Sequence, residues 1–264
     1  MIRVGLFIDT YFPMVDGVIN VVHNYAKRMN DEEFEVVVFC PVDKKDYKDE
    51  FSYRVVRCKS MKVSFLDYTV PTPRLDRQFK KIVKESNLDV VHIHSPFGVA
   101  KMGVKYAKKH DIPVVATLHS QFKKDFYRAT KSKLITRIML NSVMNVFNRC
   151  DEYYAVNGRV AEIFHEYGTK HLSPVQRNAT DFVPVADREK AVKLANERFS
   201  LAPDQTVFLY VGRINSLKNI YFTVEALSKL KDKNFKMFFV GDGNDMPTLQ
   251  SKIKQFGLTD NVIL

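Results

Sequence analysis

The chain contains no apolar run approaching the ~20 residues that a membrane-crossing helix needs, so its hydrophobic residues are expected to fill a core. Cysteine is scarce. Cys40, Cys58 and Cys150 are scattered and odd in number, with no metal-ligand spacing. That argues against a disulfide framework or a structural zinc site and fits a reducing cytosol. No secretory leader is visible. Met1-Ile2-Arg3 runs directly into the strand-like VGLFI, which is too short for a leader's apolar region and is followed by Asp9. Low-complexity segments and short-period repeats are absent too.

What is present suits a globular α/β protein. The 264 residues are enough for one large domain or two smaller ones, and 45% are hydrophobic. The net charge of +11 favours anionic partners such as phosphorylated ligands, acidic lipids or nucleic acid, without selecting among them.

Short apolar, β-rich runs alternate with amphipathic segments. Strands are expected at 3–8, 35–40, 54–58, 89–93, 113–118, 152–156 and 173–177, then at 206–211 and 236–240. Helices are expected near 17–29, 74–86, 98–109, 132–149, 158–167, 187–199, 218–231 and 244–256. Strands flanked by helices imply βαβ units and a mainly parallel sheet covered on both faces. The stretch 178–188 lacks periodicity, contains Pro184 and reads as a hinge. The expected organisation is two Rossmann-like doubly wound domains, 1–180 and 181–264, the second incomplete, with a third strand starting at Asn261. Facing each other, they would align their strand ends along one cleft, where open α/β sheets bind ligands.

The stretch VFLYVGRINSLKN at 207–219 is the most informative. Val207–Val211 reads as a buried strand running into Gly212. Arg213 follows, and Lys218 stands where a helix should begin. Two cations beside a helix N-terminus suit a diphosphate. Arg grips phosphate oxygens with a planar fork and Lys acts as a point charge. The plain alternative is a turn with two solvated cations.

Four further places could carry chemistry. Asp16 and Gly17 follow the first strand, where a missing side chain would let a phosphate or sugar approach backbone N–H groups; an ordinary βα turn uses the same residues. His92 and His94 alternate along one strand and share a face, and His119 ends the next. They could serve a metal-dependent hydrolase, although no carboxylate accompanies them at local ligand spacing. His119 could instead donate a hydrogen bond to a substrate hydroxyl or phosphate, and a strand-end histidine bonded to backbone is the ordinary reading. Gly241 and Gly243 follow another strand and permit close approach of a ligand, but match no dinucleotide fingerprint. Finally, Lys123, Lys124, Arg128, Lys131, Lys133, Arg137 and Arg149 interleave with Leu134, Ile135, Ile138, Met139 and Leu140. This is either an amphipathic helix for acidic lipid or a core helix beside a basic loop. Nucleic acid is disfavoured, since no recognition module accompanies the cations.

FIDTYFPMVDGV, VVHIHSPFGVAKMGVKYAKKHDIPVVATLHS, VGRINSLKN and VGDGND occur in an order that resembles the retaining glycosyltransferases of glycosyltransferase family 4, which have the GT-B fold. The resemblance covers essentially the whole chain. It implies a hexosyl transfer from a nucleotide-diphosphate sugar to a glycan or lipid-linked hydroxyl, with no cofactor and no obligatory metal. It also implies that Arg213 and Lys218 bind the donor diphosphate, that Gly17 lies against phosphate or sugar, and that Asp16 faces the acceptor. His119 would contact the donor sugar near the reacting carbon, and Gly241 and Gly243 would lie on the nucleotide side. Two departures stand out. Ala179 follows Asn178 where the family usually has Gly. The family's Glu-rich donor motif would fall after Leu264. The chain therefore reads as part of a longer cytoplasmic enzyme, with a catalytically incomplete nucleotide-sugar- or membrane-binding fragment as the alternative. Its C-terminal unit is expected to be the less stable.

Overall fold

A computed structural model describes residues 1–44, 46–63, 69–179, 183–230 and 233–264. The chain separates into two units, Met1–Thr180 and Asp181–Leu264. Thr180, Asp181 and Phe182 of the expected hinge, and Lys231 of the expected helix 218–231, lie outside the described residues.

The strands of the first unit are β1 (Ile2–Phe7), β2 (Phe34–Pro41), β3 (Arg54–Cys58), the two-residue β4 (Ser60–Met61) and β5 (Val70–Pro71), β6 (Val90–Ile93), β7 (Val114–Leu118) and β8 (Glu152–Ala155). Six of them form a sheet in the order β3-β2-β1-β6-β7-β8, every pair parallel. With the β4–β5 ribbon left out, this is the doubly wound order whose direction of winding reverses beside the first strand. The helices are α1 (Gly17–Met29), α2 (Arg77–Glu85), α3 (Gly98–His110), α4 (Lys123–Thr130), α5 (Lys133–Phe147) and α6 (Gly158–Tyr167).

Local chemistry sets the helix starts. Asp16, Asp76, Ser132 and Asn157 each accept a hydrogen bond from an amide three residues on, which opens α1, α2, α5 and α6. Alternation along the strands feeds two cores. Val4 and Leu6 join Ile19, Val22, Val36 and Val38 on one side, while Phe7 and Phe39 join Phe79 and Val91 on the other. Phe7 and Phe39 stack at 4.5 Å. Gly103 seats α3 directly over Phe7, because a Cβ there would come within 2.7 Å of the ring. The three cysteines are free and buried. Burial pushes the thiols of Cys58 and Cys150 up to about 12, so they stay protonated and inert.

The second unit holds α7 (Arg188–Phe199), β9 (Thr206–Val211), α8 (Ile220–Ser228), β10 (Phe235–Val240), α9 (Met246–Gln255) and β11 (Val262–Ile263). Its parallel sheet runs β11-β10-β9. Ile214, Ile220, Val224, Phe235, Met237, Phe239, Leu249 and Ile253 form its core.

Several expectations change. Val207–Val211 is not buried: Leu209 is 66% and Val211 70% exposed. β9 is the edge of its sheet, so its apolar side chains lack a covering layer among the described residues. The segment 173–177 makes only an isolated parallel bridge, Val175 to Ala155, rather than a strand. The helix expected from 218 begins at Ile220, because Asn219 adopts a left-handed conformation with φ 56° and Ser216–Lys218 closes as a 3-10 turn. The segment 123–130, which precedes the helix expected at 132–149, is itself helical.

Candidate active-site residues at the strand ends

In the first unit the candidate residues collect at the carboxyl edge of β1, β6 and β7, which are neighbours and parallel. Asp9, just past β1, is buried and organises this edge. Its carboxylate accepts from the Val99 amide at 2.6 Å, the Phe97 amide at 2.9 Å and the Ser95 hydroxyl at 2.6 Å. Its own amide donates back to Ser95 Oγ at 2.9 Å. Asp9 thus satisfies the free amides at the start of α3 and ties it to β1. Sequence reasoning assigned Asp9 no role, since its partners lie 86 to 90 residues away.

Asp16 Oδ1 accepts from the Ile19 amide at 2.8 Å, so part of its carboxylate is committed to capping α1. Gly17 is exposed, and a Cβ built on it would meet nothing within 4 Å. Packing does not demand glycine there, and the space a side chain would take is open.

His92, His94 and His119 do come together. The rings of His92 and His94 lie 4.1 Å apart, and those of His94 and His119 stack at 5.4 Å. His94 Nδ1 is 3.1 Å from His119 Nε2, and His92 Nε2 is 2.8 Å from Thr117 Oγ1. Tyr25 of α1 packs on both His92 and His94. Burial disfavours the charged imidazoles, lowering His92 to about 3 and His119 to about 4, with His94 pushed well below its usual range. The nitrogens point at one another and at a hydroxyl instead of converging on a point. Among the described residues no group of three or more His, Cys, Asp or Glu is placed to hold a metal ion. This arrangement gives the metal-dependent hydrolase reading no support.

In the second unit the loops leaving β9 and β10 are laced together. The Gly212 amide donates to Val240 O at 3.0 Å, the Ile214 amide to Asp242 O at 2.9 Å, and the Ser216 amide to Asp245 Oδ2 at 2.6 Å. Gly241 has φ 146°, and a Cβ on it would collide with Gly212 O. A Cβ on Gly243 would collide with Ile214 O. Contact between backbones therefore accounts for both glycines. Arg213 is partly exposed and Lys218 exposed at the end of the 3-10 turn, and neither forms an ion pair among the described residues. Tyr210 OH donates to Arg213 O at 2.8 Å and fixes the backbone that carries the guanidinium.

The basic segment divides. The second half of α5 packs inward through Val143, Met144, Val146 and Phe147. The first half leaves Leu134, Ile135 and Ile138 exposed, beside exposed Tyr127 on α4. Lys123, Lys124, Arg128, Lys131, Lys133 and Arg137 are all exposed around them. Among the described residues no helix is long and apolar enough to cross a membrane.

A doubly wound parallel sheet in the first unit and a parallel three-stranded sheet in the second, with polar side chains and paired loops at their strand ends, define an open α/β fold. HepE from Anabaena, solved in complex with UDP and glucose, superposes with a TM-score of 0.73 at 16% identity, over 100% of this chain and 68% of that one. The fold is GT-B-like, with the second unit partial. The chain matches the Glycosyltransferase Family 4 over residues 15–178 and the Glycosyl transferases group 1 over residues 193–264, and it belongs to Glycosyltransferase Family 4. It is 28% identical over 272 residues to the alpha-monoglucosyldiacylglycerol synthase of Acholeplasma laidlawii, which covers 95% of this chain and 66% of that protein. The enzyme of the same name from Streptococcus pneumoniae is 24% identical, covering 99% of this chain and 60% of its own length. The chain thus spans about two thirds or less of these relatives.

Proposed function

We propose that the protein acts in a retaining glycosyl transfer that moves a hexose from a nucleotide-diphosphate sugar to a hydroxyl of a membrane lipid. The observation that carries this reading is the family match over residues 15–178. Arg213 and Lys218, without an ion pair among the described residues, support a diphosphate site. Two cations free of protein carboxylates can neutralise the negative charge that grows on the leaving nucleoside diphosphate, with no metal required. Open space at Gly17 leaves room for phosphate or sugar beside the first amides of α1. His119, neutral and with one ring nitrogen unengaged among the described residues, is suited to hydrogen-bond the donor sugar. Asp16 would face the acceptor. Gly241 and Gly243 would hold the nucleotide-side loop in shape.

A lipid acceptor is supported by the two diacylglycerol-glucosylating relatives and by the exposed Leu134, Ile135 and Ile138 ringed by cations. Apolar side chains entering the headgroup region, with Lys and Arg on anionic lipid, would hold the protein peripherally on the cytoplasmic face of a membrane. The test is transfer from a panel of labelled nucleotide sugars, by the complete protein, into diacylglycerol presented in anionic vesicles. Sugar in the lipid fraction, with the anomeric configuration of the donor, is the expected result. Transfer only to water, or no transfer from any donor, would sink the reading.

A further inference from the structure

Hydrogen bonding among the clustered imidazoles leaves the buried His94 Nε2 without a partner among the described residues, and that nitrogen decides where the protons sit. His94 Nδ1 lies 3.1 Å from His119 Nε2. Two ring nitrogens at this distance form a hydrogen bond only if one carries the proton and the other a lone pair. Burial keeps both rings neutral at physiological pH, and a neutral imidazole has a single N–H.

Two arrangements follow. In the first, His119 Nε2–H donates to His94 Nδ1. His94 then carries its own proton on Nε2. In the second, His94 Nδ1–H donates to His119 Nε2, and His94 Nε2 is a bare lone pair. His94 is only 3% exposed, and its Nε2 meets no hydrogen-bond partner among the described residues. The first arrangement therefore buries the His94 Nε2 proton with nothing to receive it, whereas the second leaves a lone pair there and puts the unpartnered proton on Nδ1 of the half-buried His119, which is not among the buried atoms without a partner. Orphaned buried donors are the rarer and costlier outcome. The neighbours of His94 do not reverse the choice. His92 Nε2 is spent on the Thr117 hydroxyl, and Tyr25 contributes its ring.

We propose that His94 is a positioning residue that fixes His119 in the Nδ1–H tautomer, so that His119 offers a hydrogen-bond donor, not an acceptor, to a sugar hydroxyl. The identity of that hydroxyl rests on the proposed glycosyl transfer. The tautomers rest on the ring geometry and on burial, independently of that reaction. With Nε2 occupied by His94, the single proton of His119 lies on Nδ1, which has no partner among the described residues. A donor there binds a hydroxyl oxygen and leaves the hydroxyl proton free for another acceptor. The opposite tautomer would take that proton instead.

The test is nitrogen NMR of the complete ¹⁵N-labelled chain at neutral pH. Pyrrole-type Nδ1 and pyridine-type Nε2 are expected for both His94 and His119; a protonated His94 Nε2 overturns the assignment. His94→Asn keeps a donor near the Nδ1 position and should hold His119 in its tautomer. His94→Leu removes the donor and should release His119 toward the Nε2–H form, with kcat/KM for sugar transfer falling about tenfold. An unchanged His119 tautomer in His94→Leu refutes the positioning role. If that variant does not fold, the wild-type and His94→Asn spectra decide. A wild-type chain with the expected tautomers but no transfer from any nucleotide sugar fails the proposed function while sustaining the tautomer assignment.

Discussion

Asp9 Oδ1 accepts the Val99 amide proton across 2.6 Å and 90 residues of sequence. That one bond joins the end of β1 to the first turn of α3, beside the strand edge where His94 and His119 sit. Asp9 receives three donors in a buried place. Replacing it with Ala strands them. Asp9→Ala should cost about 2–4 kcal/mol, read as a lowered urea midpoint with an unchanged slope. A loss below 0.5 kcal/mol, roughly that of an ordinary surface change, would show that the carboxylate does not hold this edge together.

Gly241 and Gly243 touch backbone, not open space. Ala at either position must push the β9 exit loop away from the β10 exit loop, and Gly241 also holds a φ of 146° that Ala resists. Each substitution should destabilise the second unit by about 1–3 kcal/mol. Hydrogen exchange at the Gly212 and Ile214 amides, which bond across the two loops, should accelerate while amides of the first unit keep their protection.

Arg213 and Lys218 form no ion pair among the described residues, so their removal should separate binding from stability. Arg213→Ala and Lys218→Ala should each leave the unfolding midpoint nearly unchanged. Each should weaken binding of a nucleoside diphosphate about ten- to a hundredfold, the worth of a charge-assisted hydrogen bond. Calorimetric titration measures this directly, and equal affinity in Arg213→Ala would remove the guanidinium from the donor site.

The buried neutral histidines make the first unit sensitive to acid. His92 and His119 titrate near 3 and near 4 in the folded chain and near 6.5 when unfolded. Below pH 6.5 the unfolded state takes up protons that the folded state refuses. Stability is therefore complete above pH 6.5 and falls as pH drops toward the folded values. Each histidine contributes up to about 1.4 kcal/mol per pH unit in that window. Asp9 works in the opposite direction, since burial raises its carboxyl, so the histidine share is best read by difference. His119→Asn and His92→Gln should each flatten the slope of stability against pH between 6.5 and 4.5. Parallel slopes in variant and wild type would mean that these rings accept protons in the folded state.

Leu134 and Ile138 are 69% and 60% exposed. Leu134→Glu and Ile138→Glu should change stability by less than about 0.5 kcal/mol. Both should lower sedimentation of the protein with anionic vesicles, and added salt should lower wild-type binding as well. Unaltered vesicle binding in the double variant would remove this patch as the membrane contact.

The sequence by itself determined the parallel α/β class, because runs apolar on both faces, such as VGLFI and VVVF, can only be central strands under helices on both sides. The starts of α1, α5 and α6 were legible in it to within a residue, since Asp16, Ser132 and Asn157 act on amides three residues away, whereas the helix expected from 74 begins at Arg77. Even the family was legible there, in the order of its motifs. Tertiary structure alone decided the rest. β9 reads as buried by its composition, yet exposure depends on which strand lies beside it, and β9 stands at an edge. The same holds for Gly241 and Gly243: their spacing suggests room for a ligand, while the space is filled by backbone about thirty residues earlier in the chain. Asp9 gives no local signal, because its function is written in amides contributed by α3. Periodicity and capping act over three or four residues and survive in a linear reading. Burial, strand neighbours and the tautomer of His119 depend on groups that only the folded sheet brings within 3 Å or so of one another.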